Sequence, residues 1–84
     1  MTSQGYFSHA EGNGTWAKGN SAHAEGIGTI ASGKASHAGG SYTRATADNQ
    51  TVIGHYNEDS ENALFIIGAG AGPNEENRKN IFEI

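Results

Sequence analysis

Cysteine is absent from this 84-residue chain, so neither disulfides nor thiolate metal sites contribute to it. Cations are scarce too. Five Lys plus Arg against nine Asp plus Glu leave a net charge of −4, and nucleic-acid binding, which needs clustered cations, is excluded as an expectation. No apolar run approaches the eighteen residues of a membrane-spanning helix, and Met1-Thr2-Ser3-Gln4 carries neither the basic nor the apolar region of a signal peptide. No membrane insertion is expected. Large apolar side chains are few: one Leu, one Val, seven Ile and three Phe. A chain this poor in them looks disordered on composition alone, but disorder also calls for high net charge or low complexity, and the thirteen glycines are not scattered.

What is present is a beat. Glycine falls at 5, 12, 19, 26, 33, 40 and 54, every seventh residue, with Ala47 in the one missed slot. Two places before each stands Ser3, Ala10, Ala17, Ala24, Ala31, Ala38, Ala45 or Val52, and two places earlier again Ser8, Thr15, Ala22, Thr29, Ser36, Thr43 or Gln50. The unit is S/T-x-A-x-G followed by two linking residues. A period of fourteen lies over it. Ser8-His9-Ala10-Glu11-Gly12 returns as Ala22-His23-Ala24-Glu25-Gly26 and as Ser36-His37-Ala38-Gly39-Gly40, with T-x-A-x-G units between.

Within each unit small residues alternate with larger ones, which is strand patterning, and the linkers are rich in turn formers. Two strands and two turns make one flattened coil of fourteen residues, and stacked coils rise about 4.8 Å each. The expected fold is all-β, a parallel β-solenoid or roll over residues 1–54, with positions 1, 3 and 5 facing an interior that admits only Ala, Ser or Thr. Such an interior buries about 0.8 kcal/mol per methyl or methylene, against ~1–2 kcal/mol of backbone entropy per ordered residue. One chain alone is underfunded, and a closed cyclic homo-oligomer is the simplest remedy.

The frame holds through Thr51-Val52-Ile53-Gly54 and stops. Residues 55–84 are predicted to form a C-terminal β segment, hairpin-like, with strands near 62–68 and 78–84. It carries Leu64, Phe65, Ile66, Ile67, Ile81 and Phe82, much of the bulky apolar area, and these are expected to cap the roll and clamp the oligomer. Gly68-Ala69-Gly70-Ala71-Gly72 superficially resembles a dinucleotide-binding loop, but only twelve residues follow, too few for the helix and second strand of that site.

The pattern S-x-A-x-G at fourteen-residue spacing resembles the head repeats of trimeric autotransporter adhesins. The form SHAEG alternating with T-x-A-x-G is more similar to tail-fibre and tail-spike proteins of phages of Gram-positive hosts. There the repeats run into stretches similar to Gly54-His55-Tyr56-Asn57, Leu64-Phe65-Ile66-Ile67-Gly68 and Arg78-Lys79-Asn80-Ile81-Phe82, so the resemblance covers nearly the whole chain. It implies a left-handed parallel β-roll, a homotrimer, and a structural or adhesive role in the virion, with other tail components and a host receptor or glycan as partners. The alternative is the head of a bacterial surface adhesin that binds host matrix or glycan.

His9, His23 and His37 should form a ladder, with Glu11 and Glu25 on the same face. Two readings compete: three imidazoles per rung of a trimer offering a metal or anion site, and a polar ladder that fixes register in the trimer interior. Copying of the repeat explains the spacing without a ligand, so the structural reading is preferred and no metal or cofactor is expected. Glu11 and Glu25 also sit at the separation of a retaining glycosidase pair. Any solenoid has that spacing, no distinct acid and base accompany it, and no catalysis is expected. The other face carries Trp16, Ile30 and Arg44, varied in chemistry and expected to point outward, where they are the candidates for ligand contact.

Overall fold

The computed structural model describes all residues from Met1 to Ile84. Small residues at every other position and a turn every seventh residue produce strands only two residues long: β1 (Thr2–Ser3), β2 (His9–Ala10), β3 (Trp16–Ala17), β4 (His23–Ala24), β5 (Ile30–Ala31), β6 (His37–Ala38) and β7 (Arg44–Ala45). Three longer elements follow, β8 (Thr51–His55), β9 (Phe65–Ala69) and β10 (Asn80–Glu83), with a single 3₁₀ turn at Glu75–Asn77. No helix is long and apolar enough to cross a membrane.

Through β8, odd and even strands separate into two sheets. The first is ordered β1-β3-β5-β7; the second runs β2-β4-β6-β8-β9-β10. All pairings are parallel except the last, and each parallel pairing joins residues fourteen apart, as in His9↔His23↔His37 and Trp16↔Ile30↔Arg44. The molecule is therefore a parallel β-solenoid of fourteen-residue turns. Backbone hydrogen bonds repeat with the same step: the N–H of His9, His23 and His37 donates to the carbonyl of Ala22, Ser36 and Gln50, at 2.9, 2.9 and 2.8 Å.

Burial follows the repeat. Ala17, Ala24, Ala31, Ala38, Ala45 and Val52 are fully buried, and Thr15, Thr29, Ser36, Thr43 and Gln50 line the same interior. Hydroxyls at position 1 other than that of Thr15 satisfy local carbonyls, with Ser36 Oγ donating to Gly33 O at 2.6 Å and Thr43 Oγ1 to Gly39 O at 2.9 Å. The glycines are required for two reasons. A Cβ at Gly19 would overlap the Gly33 carbonyl oxygen of the next coil, so the backbones are stacked too closely for a side chain. Gly26 has the same clash with Gly40 and also a φ of +104°, a conformation L residues rarely adopt. The second residue of each linker also turns left-handed. At Phe7, Ser21, Ala35 and Asn49 φ lies between 57° and 62°, a position where Asn is the most tolerant of the four.

The parallel stack continues past Gly54. β9 lies on β8 at the same offset of fourteen, Val52 opposite Ile66 and Gly54 opposite Gly68. Ile66 thus falls in the interior column above Ala24, Ala38 and Val52 and is fully buried by its own chain. It is not left free to clamp a partner, because the register that aligns Gly54 with Gly68 turns it inward. The interior widens along this column from Ala to Val to Ile.

β10 returns antiparallel on the far side of β9, with an irregular register between Asn80 and Phe82. The Asn80 side chain fixes it. Its Oδ1 accepts from the Glu58 N–H at 2.7 Å, and its Nδ2 donates to Glu58 O at 2.8 Å and to Glu83 at 3.2 Å. Side-chain donors on Ser60 and then Asn80 hold the Glu83 carboxyl below its ordinary value. A depressed carboxyl contributes stability above its unfolded pKa of about 4.3 and loses it as pH falls through the folded value. The group is exposed, so the effect is small. Glu83→Gln is expected to flatten slightly the acid limb of a plot of unfolding midpoint against pH; an acid limb identical to wild type would refute this.

Candidate functional site

The His/Glu ladder is the one constellation of chemically capable side chains that the repeat generates by itself. β2, β4 and β6 place His9, His23 and His37 in direct register on the six-stranded sheet. Glu11 and Glu25 follow two residues on, and period-2 geometry brings them to the same face. Imidazoles and carboxylates interleave. His9 Nε2 lies 2.9 Å from Glu11 Oε1, His23 Nε2 lies 3.5 Å from Glu11 Oε1 and 3.1 Å from Glu25 Oε1, and His37 Nε2 lies 3.1 Å from Glu25 Oε1. The like charges of the two carboxylates are thus separated by an imidazole.

Exposure falls along the ladder. His9 and Glu11 are exposed, whereas His23, Glu25 and His37 are half-buried. The His23 and His37 rings stack with centroids 4.6 Å apart and planes 6° from parallel; His9 is tilted by 50° against His23. His9 makes an aligned hydrogen bond to Glu11. His23 Nε2 is buried and has no aligned partner despite its short distance to Glu25. Gly39 stands where a third glutamate would stand, and a Cβ there would come within 3.6 Å of both His37 Nε2 and Glu25 Cγ.

The opposite sheet aligns Trp16, Ile30 and Arg44 in one column. Their side chains are largely engaged within the chain. Trp16 donates its ring N–H to Gln4 Oε1 at 2.9 Å, and Lys18 Nζ sits 4.6 Å over the indole. Arg44 places Nε 3.1 Å from Asp59 and donates from an Nη to Glu75 at 2.9 Å. Of the C-terminal apolar set, Leu64, Ile81 and Phe82 are exposed, Phe65 and Ile67 are half-buried, and Phe65 meets Phe82 edge-on with centroids 6.1 Å apart. Tyr6 and Phe7 project from the first turn, and Phe7 is almost wholly exposed.

Two groups of residues that the repeat pattern did not single out close the last coil. Gln50 and Asn57 occupy the position-1 columns of the two sheets and are fully buried. Gln50 Oε1 accepts from the Thr46 and Ala47 N–H groups, at 3.0 and 3.4 Å, where the equivalent N–H groups of lower coils use the carbonyl of the next strand. Asn57 Oδ1 accepts from the Arg44 N–H at 2.7 Å, and its Nδ2 donates to Arg44 O at 3.0 Å. These amides do the hydrogen bonding of a strand that the four-stranded sheet does not have. A long amide in a slot otherwise held by Ser, Thr or Ala was the available signal.

The second group is a pillar. Tyr42 and Tyr56 stack at 5.1 Å and 4°, and Tyr42 lies so close over Gly28 that any Cβ there would collide with its ring. Arg78 lies over Tyr56 at 5.8 Å and donates to the carbonyls of Tyr42, Asn57 and Pro73. Burial and then the neighbouring Arg44 lower the Arg78 guanidinium from its ordinary value. Arg78 thereby ties the loop after β9 back to the roll. No protein-family model, curated protein or solved structure matches the chain.

Proposed function

We propose that the chain is a segment of a homotrimeric rod in a bacteriophage tail fibre or tail spike, a left-handed β-roll that supports or presents a receptor-binding surface. The observation that carries this reading is the mismatch between a closed repeat architecture and the little it buries. The interior of a single chain is filled by alanine, threonine and serine, with only Val52 and Ile66 as larger apolar groups. Outside it Leu64, Ile81, Phe82 and Ile84 lie 63%, 64%, 46% and 73% exposed, and Ile27 and Ile53 are exposed beside the roll. Apolar area of that kind on a small chain is the material of a subunit interface. Three copies around an axis parallel to the coil stack would bury it and leave a stiff spacer.

The His/Glu ladder then faces the axis and keeps the three rolls in register, and the Trp16, Ile30 and Arg44 column faces outward. The role is mechanical and adhesive, and the reading assigns the chain no catalysis. The SHAEG resemblance supports the tail assignment over a bacterial surface adhesin. Immunogold labelling with antibodies raised against the chain tests it on virions and cells of the source strain. Gold along the tails of particles is the expected result. Gold on the envelope of uninfected cells would replace this reading with the adhesin one.

A further inference from the structure

We infer that His23, Glu25 and His37 bind a divalent transition-metal ion of the zinc class, one ion per chain, on the face of the six-stranded sheet. Three observations on the ladder carry this beyond a register device. First, the donor atoms are spaced as ligands. Glu25 Oε1 is 3.1 Å from His23 Nε2 and 3.1 Å from His37 Nε2, and the three atoms lie within 4.8 Å of one another. Ligands at about 2.0–2.1 Å around a tetrahedral ion are roughly 3.3 Å apart. Second, His23 Nε2 is buried and not aimed at Glu25 as a hydrogen-bond donor, although the carboxylate is close. A buried imidazole nitrogen with no hydrogen-bond partner is left available to a ligand. Third, Gly39 keeps the flank of His37 and Glu25 clear, where a glutamate side chain at the same position of the repeat would fill it.

Two imidazoles and one carboxylate leave a fourth position for water, the ligand count of an open zinc site. Imidazole and carboxylate together favour zinc, copper or nickel over magnesium and calcium. The His23 and His37 rings stack in parallel planes, so binding requires them to turn until both Nε2 lone pairs meet at the ion. His9, Glu11 and His23 form a second group of the same kind lower on the ladder. Both groups use His23 Nε2, and one lone pair serves one ion, so the two compete and the stoichiometry is one. The upper group wins because it is more buried, where the attraction between carboxylate and cation is less screened, and because His9 and Glu11 are already hydrogen-bonded to each other. The inference goes beyond the trimer reading, in which the same ladder faces the axis; a zinc-binding monomer would overturn that reading and leave this one standing.

The test is titration of the untagged, chelator-treated chain with ZnCl₂ at pH 7.5 in 150 mM salt, read by equilibrium dialysis, with CoCl₂ as an optical probe. The expected result is one Zn²⁺ per chain and visible ligand-field bands with Co²⁺. His37→Gln and Glu25→Gln should each weaken binding at least tenfold, and His9→Gln less than twofold, with the β circular-dichroism signal retained. Where a ladder variant does not fold, the wild-type imidazole nitrogen resonances decide: Nε2 of His23 and His37 should shift on Zn²⁺ addition and His9 should not. Absence of zinc uptake would overturn the inference. So would an affinity unchanged in His37→Gln, or a loss in His9→Gln equal to that in His37→Gln.

Discussion

Ala24→Leu is expected to abolish the folded state of this chain, with loss of the β circular-dichroism signal at 25 °C. Ala24 is fully buried in the column Ala10, Ala24, Ala38, whose members stack directly through the parallel pairing of β2, β4 and β6. Three added carbons meet the facing strand of the same coil and the rungs above and below, an interior of backbone and small Ala, Ser and Thr side chains. Overpacking costs about 1–3 kcal/mol where a core can rearrange. Here the surroundings are backbone fixed by hydrogen bonds every coil, so the cost lies above that range. Total stabilities run at roughly 0.05–0.15 kcal/mol per residue, which leaves a small chain little reserve. Two comparisons make the claim specific. Val52→Ile, two coils up the same column and directly below Ile66, should shift the unfolding midpoint by only a few degrees. Lys18→Ala removes one exposed cation from over Trp16 and should cost less than about 1 kcal/mol. An Ala24→Leu protein that melts within a few degrees of wild type would show that the interior is not packed as described.

The second large effect belongs to the amides that finish the four-stranded sheet. Gln50→Ala removes the acceptor for the N–H groups of Thr46 and Ala47 and the donor to the carbonyls of Ser60 and Ala63, at 2.6 and 2.8 Å. Asn57→Ala removes both partners of the Arg44 peptide. A buried polar group left without a partner costs about 1–3 kcal/mol, so each variant should lose several kcal/mol in a urea titration. The double variant should lose less than the sum, since both side chains close the same coil. Hydrogen exchange separates this from a general loss of packing. The Arg44, Thr46 and Ala47 amides should lose protection first, while those of Trp16 and Lys18, bonded to the strand above, keep theirs. Wild-type protection at Arg44 in Asn57→Ala would refute the capping role.

The repeat region was legible because its constraints are steric and local. Coils a strand spacing apart leave no room for a side chain at Gly19 or Gly33, and the lower two-strand coils hold only Ala, Ser or Thr inside. Those limits print themselves on the chain every seven residues. They also made the His and Glu ladder readable, since register follows from the period. What lay outside the beat was harder to see. The solenoid gains one more parallel strand after Gly54, but the half-coil before it has no partner strand and is held by side chains, so residues 58–64 carry no repeat pattern. Gln50 and Asn57 stand in the frame yet differ from its other members, and their role depends on what is missing beside them. Ile66 reads as one apolar residue among several until the fourteen-residue offset from Val52 turns it inward. The left-handed turns at Phe7 and Ala35 leave no mark either, because only glycine and asparagine advertise that conformation.

The central claim is that this thin roll is completed by copies of itself. Sedimentation equilibrium with circular dichroism on the same sample addresses it directly. The account predicts a β-rich species of three times 8.7 kDa, about 26 kDa, that does not dissociate before it unfolds. A folded, β-rich monomer of 8.7 kDa would contradict it.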